Sequence, residues 1–285
     1  MDIISSVKEF TAGGIGGLSL LAVGHPFDTI RVRVQAQSHL YKNAFHATQK
    51  TISKEGPMAL YRGVGALVPG IAPQFALMFM GYSHGQSLIN KTDIGKKYFH
   101  FNNLTDASLA GIYSYLYVTP VKGPSERVAR VAQTTNKYGK GSWNVFRNLY
   151  KEQGFRGATK GSTMTFITYG TGAMIYFGFY QSMKDKYLAK NSTAKTVPIL
   201  NSFLYGGAAG SLQWAVIMPL DQIKNRLQSA KNVETSVFEI IGQIRAESKK
   251  TGIKAYYRGF AITMLHFGFG EIPNFLKNQD TEKVL

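Results

Sequence analysis

Two short motifs recur three times along the chain at nearly constant spacing, and this periodicity limits the fold more than any other feature. Pro26-Phe27-Asp28-Thr29-Ile30-Arg31 is followed by Gln35, nine residues after the proline. Pro219-Leu220-Asp221-Gln222-Ile223-Lys224 repeats the pattern with Gln228, and Pro124-Ser125-Glu126-Arg127-Val128-Ala129 repeats it with Gln133. The prolines lie 98 and 95 residues apart. A second mark follows each motif: Tyr61-Arg62-Gly63, Thr159-Lys160-Gly161 and Tyr257-Arg258-Gly259, with glycines 98 residues apart both times. Two independent motifs in one register divide the 285 residues into three tandem units, 1–98, 99–194 and 195–285.

Each unit holds two stretches dense in Gly, Ala, Leu, Phe, Ile and Tyr, at 9–36, 66–90, 104–134, 161–188, 198–228 and 259–280. Polar residues interrupt each stretch, as expected of helices that line a water-filled cavity on one face and meet lipid on the other. No run of 18 charge-free apolar residues occurs, so hydropathy alone identifies no span. A proline within a helix removes one backbone bond and kinks it. Three kinked helices can converge at one end of a six-helix barrel. The acid two residues after each proline, and the base five after it, can then pair around a threefold ring and close that end. The small-residue runs 12–17 and 206–210 offer faces for close helix packing in lipid. Segments 43–55, 141–153 and 233–250 have the pattern of short amphipathic interfacial helices. The expected fold is an all-α membrane protein: six transmembrane helices in three pseudo-threefold repeats, with three short helices on one side. A soluble all-α bundle is the competing expectation.

Lysine and arginine number 33 against 16 acidic residues, a formal charge of +17, which calls for an anionic partner. The basic residues sit in the joining segments rather than in one groove with interleaved aromatics, so membrane lipid fits and nucleic acid does not. Backbone amides at helix starts beside Gly63, Gly161 and Gly259, with Arg62, Lys160 and Arg258 adjacent, suit lipid phosphates. A positive-inside charge bias explains most of the lysines equally well. With no cysteine, disulfides, thiolate metal sites and a cysteine nucleophile are excluded. No metal-ligand, Ser-His-Asp or nucleotide-loop constellation occurs at a convincing spacing, so no enzyme, metal or cofactor is expected. Met1 to Phe10 is neither an Arg-rich presequence nor a secretory signal.

With these motifs in hand, the chain resembles the mitochondrial carrier family over essentially its whole length, through P-x-[DE]-x-x-[KR] on the odd-numbered helices of three repeats. Gly24-His25-Pro26-Phe27-Asp28 is closest in wording to the carnitine/acylcarnitine and basic amino acid branch. The resemblance implies a multi-pass protein of the mitochondrial inner membrane, both termini on the outer side, the short helices on the matrix side, and bound cardiolipin at the aromatic-basic-glycine marks. It implies a matrix gate made of Asp28, Arg31, Glu126, Asp221 and Lys224, braced by Gln35, Gln133 and Gln228. Carried over by position, Arg31 pairs with Asp221 and Glu126 with Lys224, while Asp28 faces Ala129, which cannot pair. Arg130 is rotated by about 100° on the helix and is expected to be a poor substitute.

An outer gate of [FY]-[DE]-x-x-[KR] tetrads is usual in the family. Here the tetrads begin Tyr82-Ser83, Tyr180-Gln181 and Asn278-Gln279, so all three acids are missing and no ion-pair gate is expected on that side. The substrate-contact positions implied by the family are Gly70, Thr168 with Tyr169, and His266. They lack the acidic and arginine residues of the carnitine-type and basic amino acid relatives. Two functions follow from these departures. One is an alternating-access transporter of an unidentified small solute. The other is a carrier-fold protein that has lost transport and serves as an accessory subunit of an inner-membrane assembly such as a respiratory-chain complex. In the sixth stretch, Glu271 lies about 140° around the helix from His266, so it is expected to face a neighbour or lipid.

Overall fold

The computed structural model describes residues 21–91, 103–139, 141–191 and 196–265. Among these residues the chain is helical, without a strand. Helix α1 covers 21–36, α2 Ala44–Glu55, α3 Val64–Lys91, α4 Asn103–Thr134, α5 Ser142–Ala158, α6 Ser162–Lys190, α7 Ile199–Ser229, α8 Val237–Thr251 and α9 260–265. The long helices α3, α4, α6 and α7 have 28, 32, 29 and 31 residues, about 42–48 Å of length at ~1.5 Å per residue. The three short helices fall where the amphipathic pattern puts them. Asn43 caps α2 by accepting from the His46 amide, and Ser236 caps α8 by accepting from the Glu239 amide. Helix α5 runs past the predicted end at 153 because Gly154, at φ 63°, turns the chain and a further helical turn follows.

Each short helix packs on the end of the long helix before it in its own repeat, α1, α4 or α7, through a separate apolar cluster. Ile30 and Val34 meet Ala47 in the first repeat, Val128 and Val131 meet Val145 and Leu149 in the second, and Leu227 meets Ile240 and Ile244 in the third. Between the long helices, small residues set the approach. A Cβ on Gly81 would lie 2.8 Å from Ser114 Cα, and one on Gly85 3.1 Å from Ala110 Cα, so the four-residue glycine spacing of α3 seats it on α4. The run beginning at Gly206 behaves differently. A Cβ on Gly206 would reach only the Tyr176 hydroxyl at 3.5 Å, and one on Gly207 would meet nothing. Close packing of α7 on α6 occurs instead at Gly172, against Gln213 and Ile217. The other small-residue run, 12–17, lies outside the described residues.

The distribution of polarity is reversed from that of a water-soluble bundle. Arg127, Lys224, His25, Gln35, Gln133 and Gln228 are fully buried, whereas Phe79, Leu116, Leu204 and Val216 on the long helices are exposed. No single described helix is long and apolar enough by composition to cross a membrane. Only Pro57–Ile71 with Pro73–Ile89, bent by 48°, meets that measure together. The buried polar and charged residues of these helices lower their mean hydropathy.

Candidate functional site

Helices α1, α4 and α7 approach one another just beyond Pro26, Pro124 and Pro219, and their charged side chains meet in a ring. Arg31 Nε lies 3.9 Å from Asp221 Oδ2, and Lys224 Nζ lies 3.5 Å from Glu126 Oε2, so both sequence-predicted pairs are in place. Lys224 also reaches Asp221 Oδ1 at 3.1 Å. The third side is closed by Arg130, contrary to the expectation that its angular offset disqualifies it. Arg130 Nη1 donates to Asp28 Oδ2, and Arg31 Nη2 donates to Asp28 Oδ1 at 2.6 Å. The rotation displaces the Cα–Cβ bond, but the long arginine arm covers the difference and its planar fork spans two acceptors. It also lies 3.8 Å from Glu126. The backbone of Ala129 meanwhile packs on Gly63, where a Cβ would lie 2.8 Å from the Ala129 carbonyl oxygen.

The three glutamines reach the acids directly or through one hydroxyl. Gln35 donates to Asp221 Oδ2 at 3.4 Å, and Gln133 donates to Asp28 Oδ2 at 3.3 Å. Gln228 donates to Thr165 Oγ1 at 3.0 Å, and that hydroxyl donates to Glu126 Oε2 at 3.2 Å. Side-chain exposure in the ring runs from 0% at Asp221 and Lys224 to 9% at Asp28, so the charges are screened by one another rather than by water.

A second layer, which the motif search did not identify, ties the short helices to the ring helices. Arg33 donates to Glu55 Oε2 at 3.0 Å, and Arg226 donates to Glu247 at 2.7 and 2.9 Å. Arg62 joins Glu55 at 2.8 Å, and Arg258 lies 3.8 Å from Glu247. The hydrogen bond from Arg33 holds the Glu55 carboxyl below the usual carboxylate range. Burial pushes the Glu247 carboxyl up, but the bonds from Arg226 and Ser38 outweigh it and leave it below its ordinary value. In the second repeat Val131 stands where Arg33 and Arg226 stand. Arg127 takes over, donating to the carbonyls of Gly157, Gln228 and Ala230. The seven-residue offset of Arg33 and Arg226 from their prolines was the available signal.

These contacts also place the residues of the aromatic-basic-glycine marks. Arg62 and Arg258 are committed to carboxylates, and Lys160 Nζ donates to the Asn232 carbonyl. Gly63, Gly161 and Gly259 have φ of 84°, 83° and 82°, and a Cβ on Gly161 would lie 2.7 Å from Gln228 Cγ. Glycine is therefore required there by backbone conformation and by the approach of the next repeat.

Directly on the other side of the ring lies a cavity of about 340 Å³. Asp28, Arg31, Glu126 and Arg130 form its floor, and His25, Gln74, Tyr115, Lys122 and Trp214 are on its walls. Of the predicted substrate contacts, Tyr169 lines it. Its hydroxyl donates to Glu126 Oε1 at 2.8 Å and accepts from Lys224 Nζ at 2.8 Å, so it also belongs to the ring. Thr168 is buried at 0% exposure, and Gly70 is buried against Gln74 and Ser125. His266 and Glu271 lie outside the described residues, as does the tetrad beginning at Asn278. In the other two tetrads the contacts are aromatic and amide: Tyr82 packs on Phe177 with ring centroids 5.0 Å apart, and Gln181 donates to Asp185 at 2.8 Å. Among the described residues no cluster of His, Asp and Glu is arranged to hold a metal ion.

A pseudo-threefold helical fold closed by a buried ring of ion pairs, with a cavity above it, defines a carrier-type protein. The profile of the family described as "Mitochondrial carrier protein" matches three times, over residues 3–93, 96–191 and 195–283, and the chain belongs to the mitochondrial carrier family. Members of that family are solute transporters rather than enzymes. The mitochondrial carnitine/acylcarnitine carrier protein of Mus musculus is 30% identical over 276 residues, covering 92% of this chain and 89% of that protein. The mitochondrial carnitine carrier of Saccharomyces cerevisiae is 33% identical over 288 residues, covering 91% and 82%. Mitochondrial magnesium exporter 1 of Drosophila melanogaster is 32% identical over 271 residues, covering 91% and 88%.

Proposed function

We propose that the chain is a working solute carrier of the mitochondrial inner membrane that crosses it six times, one pair of spans in each of the repeats 1–98, 99–194 and 195–285. Both termini face the outer side, and α2, α5 and α8 lie on the matrix side. The ring of Asp28, Arg31, Glu126, Arg130, Asp221 and Lys224, with its glutamine braces, acts as the matrix gate. A solute entering the cavity stops at the ring and proceeds only when the pairs separate. Parting buried charges is costly, so the solute must bind the opening state more tightly than the closed one. The observation that supports this most is that the ring is fully paired, Arg130 meeting Asp28 where residue 129 carries no base, and stands directly below a cavity. Cardiolipin phosphates would dock on the backbone amides at the starts of α3, α6 and α9. No observation favours the accessory-subunit function.

Counter-exchange by the purified protein in liposomes tests the proposal, beginning with carnitine and magnesium ion, the solutes named for its relatives. Saturable exchange that is lost in Asp221→Asn supports it. A folded protein that exchanges none of a broad panel of organic anions, cations and zwitterions would overturn it.

A further inference from the structure

Taking the ring as the matrix gate, an assignment that rests on the carrier function, we infer that Trp214 is a positioning residue for Arg31. Its indole holds the guanidinium against α7 and so keeps the α1–α7 side of the ring closed. Each of the other two bases is hydrogen-bonded from one helix to another. Lys224 on α7 donates to the Tyr169 hydroxyl on α6 at 2.8 Å, and Arg130 on α4 donates to Asp28 on α1. Arg31 differs. Among the described residues the hydrogen bond of its side chain, 2.6 Å to Asp28, stays within α1. Across to α7 it has Asp221 at 3.9 Å from Nε, and that Nε is buried without an acceptor. An ion pair too long for a hydrogen bond sets a distance but leaves the planar head free to turn.

The indole supplies the missing constraint. Arg31 Cζ lies over the Trp214 ring, 5.1 Å from its centroid, within the range of a cation–π contact. A guanidinium is planar and stacks on an aromatic face, so the contact fixes the tilt of the head as well as its place. The Arg31 side chain is 4% exposed, and water does not compete for it. Its stem is confined too, since a Cβ on Gly259 would stand 3.2 Å from Arg31 Cγ. Trp214 lies seven residues before Asp221, two turns along the same face of α7, and lines the cavity together with Arg31. Gln35, one turn beyond Arg31, joins α1 to α7 by accepting from Asn225 at 2.6 Å. Five residues before the other two prolines stand Leu21 and Thr119, so the third motif alone carries an aromatic ring at this level.

Two measurements on the full chain test this, and neither needs a solute. The first is a double-mutant cycle on the thermal unfolding midpoint of the purified protein. Trp214→Leu should lower the midpoint by about 3 °C more in the parent than in an Arg31→Gln background, because the indole then has no guanidinium to hold. A tryptophan that merely fills space would cost the same in both. The second places a thiol in the cavity as Phe75→Cys and labels it with a membrane-impermeant maleimide in inverted vesicles. Trp214→Leu should raise the labelling rate about tenfold or more, whereas Trp214→Phe, which keeps an aromatic face, should stay close to the parent. The inference is overturned if the losses in the cycle are equal, if Trp214→Leu leaves labelling unchanged, or if Trp214→Phe raises it as much as Trp214→Leu. Should Arg31→Gln not fold, the labelling comparison decides alone. Absence of exchange in liposomes would count against the carrier function and leave the hold of Trp214 on Arg31 standing.

Discussion

Asp28 is held by two arginines from different helices, Arg31 at 2.6 Å along α1 and Arg130 across from α4, with Gln133 behind them. Asp221 has a similar set in Lys224 at 3.1 Å and Arg31 at 3.9 Å. Removing one member of a buried pair leaves an uncompensated charge and costs about 3–5 kcal/mol. An incomplete ring would make Asp28 the less important acid, but its pairing with Arg130 removes that asymmetry. Arg130→Ala, Asp28→Ala and Asp221→Ala should therefore each lower stability by about 3–5 kcal/mol, measured as unfolding midpoints of the purified variants. Indifference to Arg130→Ala would show that the third side of the ring is open. The pairs Arg31–Asp221 and Glu126–Lys224 were legible because the resemblance to the family carries its pairing over by motif position. The role of Arg130 was not, since helical angle says where a side chain starts and nothing about how far its end travels.

Helices depend on the second layer of contacts, because α2 and α8 would otherwise be held only by small apolar clusters. Glu55 and Glu247 bind protons less readily when folded than the ordinary carboxyl at 4.5, for the reasons of hydrogen bonding and charge given above. A carboxyl with a lowered folded pKa contributes stability that is present above its unfolded pKa and lost as pH falls through its folded value. Acidification from pH ~6 to ~3 should thus progressively weaken both tethers. The Glu55→Gln, Glu247→Gln double variant should start lower and fall less steeply over that range. Glu152→Gln serves as the control, since its pair with Lys137 is about half exposed, at 46% and 51%, and contributes little. Parallel curves for wild type and double variant would refute the tether. The short helices themselves were legible in the amphipathic pattern of 43–55, 141–153 and 233–250. Their anchoring was harder to see, since in the second repeat Val131 and Gln153 replace the charged partners and Arg127 compensates from another turn of α4.

For the whole molecule, the decisive asymmetry lies between its two ends. Around the ring, three acids and three bases bind one another at 0–9% side-chain exposure. At the opposite ends of α3 and α6, Ser83 and Gln181 occupy the acid positions, and Tyr82, Phe177 and Gln181 offer ring packing and amide bonds. Ion pairs therefore favour the state closed at the ring, and nothing of comparable strength among the described residues favours the reverse. A two-state equilibrium follows the difference in free energy between its states. The resting protein should then expose its cavity to the outer face of the membrane. The chain contains no cysteine, so one introduced thiol reports without background. Phe75 lines the cavity at 39% exposure and is better suited to this than the fully buried Thr168. A Phe75→Cys variant should react with a membrane-impermeant maleimide in intact, outer-face-out preparations and be protected in inverted vesicles. Arg130→Ala should make the inverted vesicles reactive, because it opens one side of the ring. Dominant labelling of Phe75→Cys from the matrix face in the otherwise unaltered protein would reverse the assignment of the resting state.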